Sequence, residues 1–188
     1  DHPETLGGMG NLAAAYWRAK RLDDSIPMFE ALLKAQEAKL GRAHPTTLGT
    51  IANLGVNYGT AGRWKDALPL QEEVRVAARS NPALRGALPD LLITYLHLEQ
   101  FDEATALLAE LVDDLRKSAK PESMQLASGL SAFGQAALEA KAFAMAEPLL
   151  RESLAIRAEA KPDAWQTFHV QSLLGAALLG EGKPDDAA

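Results

Sequence analysis

Apolar positions along this chain recur with the period of a helix. Leu12, Tyr16 and Ala19 stand at i, i+4 and i+7, and Leu107, Leu111 and Leu115 at i, i+4 and i+8. Such spacings gather each set on one face of an α-helix. No segment alternates apolar and polar residues as a half-buried strand would. Breakers separate the periodic stretches: Gly41 and Pro45, Gly62, Pro82, Pro121, Pro162, Gly182 and Pro184. The pattern predicts nine helices, over 3–19, 23–39, 45–61, 64–79, 83–98, 101–118, 122–140, 143–159 and 163–181, with the last residues opening a tenth.

The pattern also repeats on a longer scale. His2-Pro3 returns as His44-Pro45, an offset of 42 residues. The same offset links Thr5-Leu6 to Thr47-Leu48, Asn11-Leu12 to Asn53-Leu54, Tyr16 to Tyr58, Arg21 to Arg63, Asp24 to Asp66 and Pro27 to Pro69. Later copies are more worn. Trp64-Lys65-Asp66-Ala67 returns as Phe101-Asp102-Glu103-Ala104, then as Phe143-Ala144-Met145-Ala146 and as Pro184-Asp185-Asp186-Ala187, at intervals of 37, 42 and 41 residues. A fixed period of this size marks a repeat architecture in which each unit buries its apolar face against the next. The interval of 37 implies a trimmed loop between units, since stacked helices cannot lose a turn freely. The acidic pairs Asp23-Asp24, Asp102-Glu103 and Asp185-Asp186 fall in the first turn of each second helix, where carboxylates complement the helix dipole.

These residues carry a resemblance. His-Pro-x-Thr-Leu, then Asn-Leu-Ala-x-x-Tyr, then an aromatic or leucine with Asp-x-Ala/Ser-x-Pro, resembles the long tetratricopeptide repeat of kinesin light chains, sharply over residues 2–79 and more loosely over 80–188. The resemblance implies an all-α fold: an α-solenoid of stacked antiparallel helix pairs coiled into a right-handed superhelix. The units fall at about 1–42, 43–80, 81–119, 120–161 and 162–188, the last incomplete, so that the chain reads as one repeat array from a longer protein. Ala13, Gly55, Gly134 and Gly175 match the small eighth residue that lets paired helices approach, and Leu92 departs from it. Ala67, Ala104, Ala146 and Ala187 match the small residue of the second helix, with Ser25 a mild departure.

In this repeat class the first helix of each pair lines the concave face. The positions carried over by motif are Gly10, Asn11, Ala14, Trp17 and Arg18; Ala52, Asn53, Val56 and Thr60; Asp90, Ile93 and His97; Ser131, Gln135 and Glu139; and Ser172 and Ala176. From these, Asn11, Ala14, Trp17, Arg18, Asn53, Val56, Thr60, Ile93, His97 and Gln135 are the expected partner-binding residues. Gly10/Ala14 and Ala52/Val56 stand where the chaperone-tail version of the fold has Lys and Asn, so that carboxylate clamp is missing. A groove of small and apolar residues suits an extended peptide or an amphipathic helix. Asn11 and Asn53 either bond the backbone of a bound peptide or bond a neighbouring helix. Trp17 is either an interface anchor or packing between repeats, the role expected of Tyr16 and Tyr58.

Catalytic and ligand motifs do not hold up. Gly8-Met9-Gly10-Asn11-Leu12-Ala13 spells a dinucleotide fingerprint, but it lies inside a helical repeat rather than after a strand. Gly182-Lys183 lacks the rest of a phosphate loop, and Gly129-Leu130-Ser131-Ala132-Phe133 fails the nucleophile-elbow spacing. His2, His44, His97 and His169 show no metal-ligand spacing. No enzyme, metal site or cofactor is expected.

The remaining bulk properties narrow the class of partner. A net charge of −6 argues against a nucleic-acid surface. No apolar run reaches the roughly 18 residues of a membrane span. The chain has no cysteine, which removes disulfides and thiolate metal sites, and a cytoplasmic location is the default. The leading expectation is a scaffold that binds a protein or peptide. The alternatives are a sensor that binds a small peptide or effector within a larger regulator, and a module that self-associates through uncapped repeat ends.

Overall fold

Short connections between amphipathic helices decide the architecture, because a three-residue link leaves neighbouring helices little choice but to run antiparallel. The computed structural model describes residues 3–183, so His2 and the Pro184–Ala187 copy of the repeat lie outside the described residues. In chain order it contains α1 (Pro3–Arg18), α2 (Leu22–Leu40), α3 (Pro45–Thr60), α4 (Trp64–Ala78), a 3-10 helix (Pro82–Ala87), α5 (Leu88–His97), α6 (Phe101–Ser118), α7 (Met124–Glu139), α8 (Phe143–Ala160) and α9 (Trp165–Gly180). No strand occurs among the described residues. Two compact units divide within α5, residues 1–94 and 95–188.

In the first unit α1 packs on α2, α2 on α3 and α3 on α4, and the 3-10 helix closes on α3 and α4. In the second α6 lies against α7, α7 pairs with α8, and α9 covers α8 and part of α7. Each contact is a stripe of apolar positions brought together by the helical period. Phe29, Leu32, Ile51 and Leu54 are buried in the first unit, and Leu107, Leu130, Leu150 and Leu178 in the second.

One backbone feature is shared by the four turns between first and second helices and by the end of α9. Lys20, Gly62, Glu99, Lys141 and Gly182 all have positive φ, between 58° and 74°. Their spacing, 42, 37, 42 and 41, is the sequence repeat itself. At each, the following residue donates its N–H back to a carbonyl five residues earlier: Arg21 to Tyr16, Arg63 to Tyr58, Gln100 to Tyr95, Ala142 to Ala137 and Lys183 to Leu178, at 2.8–2.9 Å. The left-handed residue lets the chain satisfy the last carbonyls of one helix and reverse at once. Three of the five positions are not glycine, so each carries a local strain of about 1 kcal/mol.

Two sequence expectations change at the third unit. A helix over 83–98 does not form; a 3-10 helix precedes a ten-residue α5 instead. Pro89 is the reason, since inside a longer helix it would lack an N–H and meet the carbonyl of Arg85. In the first turn of α5 it costs no bond. The shortening is also not confined to a loop. α2 runs to Leu40, whose equivalent 42 residues on is position 82, whereas α4 stops at Ala78. The missing residues are one helical turn. Pro82 disfavours helix in the residue before it, and Asn81 restarts the chain by accepting the N–H of Ala83 on Oδ1 at 3.3 Å.

Small residues work as expected where helices pair. A Cβ at Gly134 would lie 2.7 Å from Cγ of Leu150, and one at Gly55 2.9 Å from Cγ of Gln71. Both contacts join residues 16 apart, the same register in two units.

Candidate functional site

The three residues that matched at the 42-residue offset around each first turn form one assembly. Arg21 donates from Nε to Asp24 Oδ2 at 2.8 Å and its guanidinium lies 4.5 Å above the Tyr16 ring. Arg63 does the same with Asp66 at 2.7 Å and with Tyr58 at 4.3 Å. Asp24 and Asp66 therefore have a more specific task than complementing a dipole. Tyr58 adds a link to the preceding pair by donating its hydroxyl to Glu30 Oε1 at 2.6 Å. Burial, reinforced by that carboxylate, pushes the Tyr58 phenol up to about 12. This is the inter-repeat role expected of Tyr58.

Beneath it lies a buried polar seam. The Ser25 hydroxyl sits 2.8 Å from the Ala13 carbonyl and 2.6 Å from Oδ1 of Asn57, sharing its one proton between them. Asn57 is 2% exposed and donates from Nδ2 to the carbonyl of Asn53 at 2.8 Å. Asn57, which the motif reading did not single out, is thus the asparagine that bonds a neighbouring helix. Asn11 and Asn53 are exposed, and among the described residues neither side-chain amide has a hydrogen-bond partner.

Of the other expected residues of the first unit, Trp17, Val56, Thr60 and Ile93 fall around one place. Trp17 on α1 is part-buried and donates from Nε1 to Thr60 Oγ1 on α3 at 3.2 Å, while Thr60 donates to the Val56 carbonyl at 2.8 Å. Val56, Thr60 and Ile93 line a recess of about 140 Å³ together with Gly59, Trp64, Gln71 and Asp90. Ala14 is half-buried on α1, and Arg18, its last residue, is exposed. In the second unit His97 is exposed at the end of α5. Gln135, exposed on α7, donates from Nε2 to Glu139 Oε1 at 2.9 Å.

Two members of the recess are polar groups in an apolar setting. Gln71 is 4% exposed, and neither Nε2 nor Oε1 of its amide has a partner. Asp90 stands in the first turn of α5, and burial raises its carboxyl above the ordinary carboxylate range. No hydrogen bond or ion pair reaches that carboxylate among the described residues. The family resemblance, carried over by motif, nominated Asp90 as a groove residue. It gave no signal for Gln71, a second-helix residue that enters the recess because Gly55 and Gly59 leave room above it.

The second unit answers its buried polar groups differently. Ser153 donates to the Ala127 carbonyl at 2.7 Å, and Arg157 reaches Ser128 Oγ from Nη2 at 3.0 Å and Ser153 Oγ from Nε at 3.4 Å. Arg157 is 5% exposed and has no carboxylate partner among the described residues. Along α9, Trp165, Phe168 and Leu179 are 70%, 56% and 61% exposed, spaced to share one helix face with Ser172 and Ala176. No group of three or more metal-ligating side chains occurs among the described residues, and none of their helices is long and apolar enough to cross a membrane.

The helix pairs, their left-handed turns and their small-residue contacts define a helical repeat protein. Residues 4–80 match the tetratricopeptide repeat family. A Podosopora anserina protein named as a kinesin light chain, with nearly identical TPR-like repeats, has the same fold at a TM-score of 0.81 and 22% identity, over 100% of this chain and 92% of that one. BtubC (BKLC) from P. vanneervenii aligns at 0.70 and 17% identity over 98% and 78% of the two chains, and MamA from MSR-1 at 0.59 and 16% over 97% and 90%. No curated protein sequence matches the chain. Residues 4–80 are tetratricopeptide repeats by sequence, and over its length the chain has the fold of the kinesin light chain-like repeat structure. Repeats of this kind generally mediate protein–protein interaction and are typically non-enzymatic scaffolds.

Proposed function

We propose that the protein holds an extended peptide segment of a partner protein on the face formed by its first helices. The observation that carries this reading is the linked pair Trp17–Thr60, which joins first helices of consecutive repeats at the rim of the recess beside Val56 and Ile93. The amides of Asn11 on α1 and Asn53 on α3 are exposed, each with a donor and an acceptor to offer a peptide backbone. Binding energy at interfaces concentrates in a few residues enriched in Trp, Tyr and Arg, which makes Trp17 the anchor of this reading.

Selection of a displayed peptide library against the protein tests it. Selected peptides are expected to bind at least tenfold more weakly to a Trp17→Ala/Asn53→Ala variant that keeps its helical circular dichroism. Undiminished binding to that variant overturns the assignment of the face.

Self-association is a second reading, favoured by the exposed apolar stripe of Trp165, Phe168 and Leu179. A stripe of this kind marks an interaction surface when left uncovered. Light scattering across concentrations distinguishes it: a mass that rises in the native protein but not in Trp165→Ser/Phe168→Ser supports it, and a constant monomer mass ends it.

A further inference from the structure

We infer that the recess between α3, α4 and α5 is a lysine pocket, which takes the side-chain ammonium of a lysine in the bound partner segment. This deepens the reading of the groove proposed above and depends on it for the source of the lysine.

Chemistry at the recess selects the ligand. Gln71 Oε1 is a buried acceptor without a donor, and the half-buried Asp90 carboxylate beside it in the recess has no counter-charge. Thr60 Oγ1 takes one hydrogen bond from Trp17 and keeps a second lone pair. An alkylammonium brings three N–H donors and a positive charge. Buried polar groups are normally paired, and an isolated carboxylate is the costliest group to leave alone. A cation removes both defects at once.

Shape and field agree with this choice. Val56, Ile93 and the Trp64 ring supply apolar walls for a four-methylene stem, and an indole attracts a cation laid against its face. A volume of about 140 Å³ favours a compact ammonium over a planar guanidinium with five donors. The net charge of −6 draws cationic segments toward the protein. An uncharged amide from the partner could satisfy Gln71, but it would leave Asp90 ionised and unpaired.

Helix-dipole duty for Asp90 does not account for the arrangement. A carboxylate that served the N-terminus of α5 by capping would accept a backbone N–H, and none is bonded to it among the described residues. Nor does that duty explain an unpaired glutamine in the same recess.

NMR titration with small probes tests the pocket. The signals followed are the Gln71 side-chain amide and the Trp64 indole N–H, each assigned by substitution. Nα-acetyl-lysine methylamide is expected to shift both saturably. The norleucine analogue, which lacks only the ammonium, and the glutamine analogue are expected to bind at least tenfold more weakly. Asp90→Asn, which keeps size and exposure, is expected to lose the lysine preference, and Gln71→Leu to weaken lysine binding with the fold intact. Equal binding of lysine and norleucine probes, preferential binding of the glutamine probe, or undiminished lysine binding in Asp90→Asn overturns the proposal. Should the lysine probe fail while the Trp17→Ala/Asn53→Ala variant still loses selected peptides, the pocket is refuted and the peptide-binding face stands. Lysine binding that depends on Asp90, with peptide capture indifferent to the face, supports the pocket and refutes the face.

Discussion

The two units solve one packing problem with different chemistry. In residues 1–94 the seam between helices is threaded with polar groups that have assigned partners: Ser25 with Asn57 and the Ala13 carbonyl, Tyr58 with Glu30. In residues 95–188 most of the seam is a cluster of Val112, Leu126, Leu130, Leu149 and Ile156, with Leu115 and Phe133 against it. The polar members there are Ser153, bonded to the Ala127 carbonyl, and Arg157, bonded to Ser128. At the 42-residue offset Ser25 and Asn57 correspond to Ala67 and Ala15, so the polar seam of the first unit belongs to one junction and is not itself repeated. A hydrogen bond needs a particular residue at each end, and a partner left behind in the interior carries the full desolvation cost. Apolar contacts accept other apolar residues of similar volume at small cost.

The largest test of that contrast is Leu130→Ala in the second unit. Leu130 is fully buried, and its truncation should cost about 2–5 kcal/mol in urea unfolding. Conservative Leu130→Met should cost less than about 1.5 kcal/mol. A comparable loss for both would mean that the second seam is as particular as the first.

Matched glycines give the next test. Ala at Gly134 would press on the branched Leu150, while Ala at Gly55 would press on the flexible stem of Gln71. We expect Gly134→Ala to destabilise by about 1–3 kcal/mol. Gly55→Ala should lose clearly less, since the added helix propensity of about 1 kcal/mol offsets a smaller displacement. The reverse order would show that the polar seam is the stiffer one.

The turns should not distinguish the units at all. Lys20→Gly and Lys141→Gly each relieve a left-handed non-glycine residue in otherwise equal turns. Each should stabilise by about 0.5–1 kcal/mol, read as a higher Tm. A gain in only one unit would show that the two turns are not energetically equivalent.

Acid titration gives the smallest effect, and the two units should move in opposite directions. Hydrogen bonds from Lys183 and Arg151 lower Glu147 to about 2. The stabilisation this carboxylate contributes is present above its unfolded pKa and is lost as pH falls from there toward 2. Burial raises Asp90, so its ionised form burdens the first unit, and that burden lifts as pH falls through its folded pKa. Glu147→Gln should therefore flatten the acid loss, and the Tm difference between Asp90→Asn and the native protein should shrink on acidification. Differential scanning calorimetry between pH 7 and 3 reads both.

Most of the fold was legible because it is written in period. Apolar spacing placed nearly every helix within a few residues of where it forms, and the 42-residue offset located the turns and the small-residue contacts. The face residues Trp17, Thr60, Val56 and Ile93 were nominated by the family resemblance, carried over by motif. What failed to show was local or cooperative. The replacement of a helix over 83–98 by a 3-10 segment and a short α5 came from Pro89, whose effect depends on where a helix starts. Lys20, Glu99 and Lys141 in left-handed turns looked like ordinary surface residues, because the need for positive φ arises only when two helices must reverse within three residues. Of the polar residues Asn57, Gln71, Asp90 and Arg157, only Asp90 was named from the sequence; the other three gave no signal, because burial and pairing depend on the neighbouring helices.

By itself, then, the sequence determined that the chain stacks helix pairs in a fixed register, since that follows from spacing along one dimension. Tertiary structure alone decided which polar side chains find partners inside: Ser25 and Asn57 meet, while Gln71 and Asp90 are brought to one recess with nothing to answer them. The physical reason is that hydrogen bonding and desolvation depend on distances across helices, and those distances are set by the glycines and turns acting together.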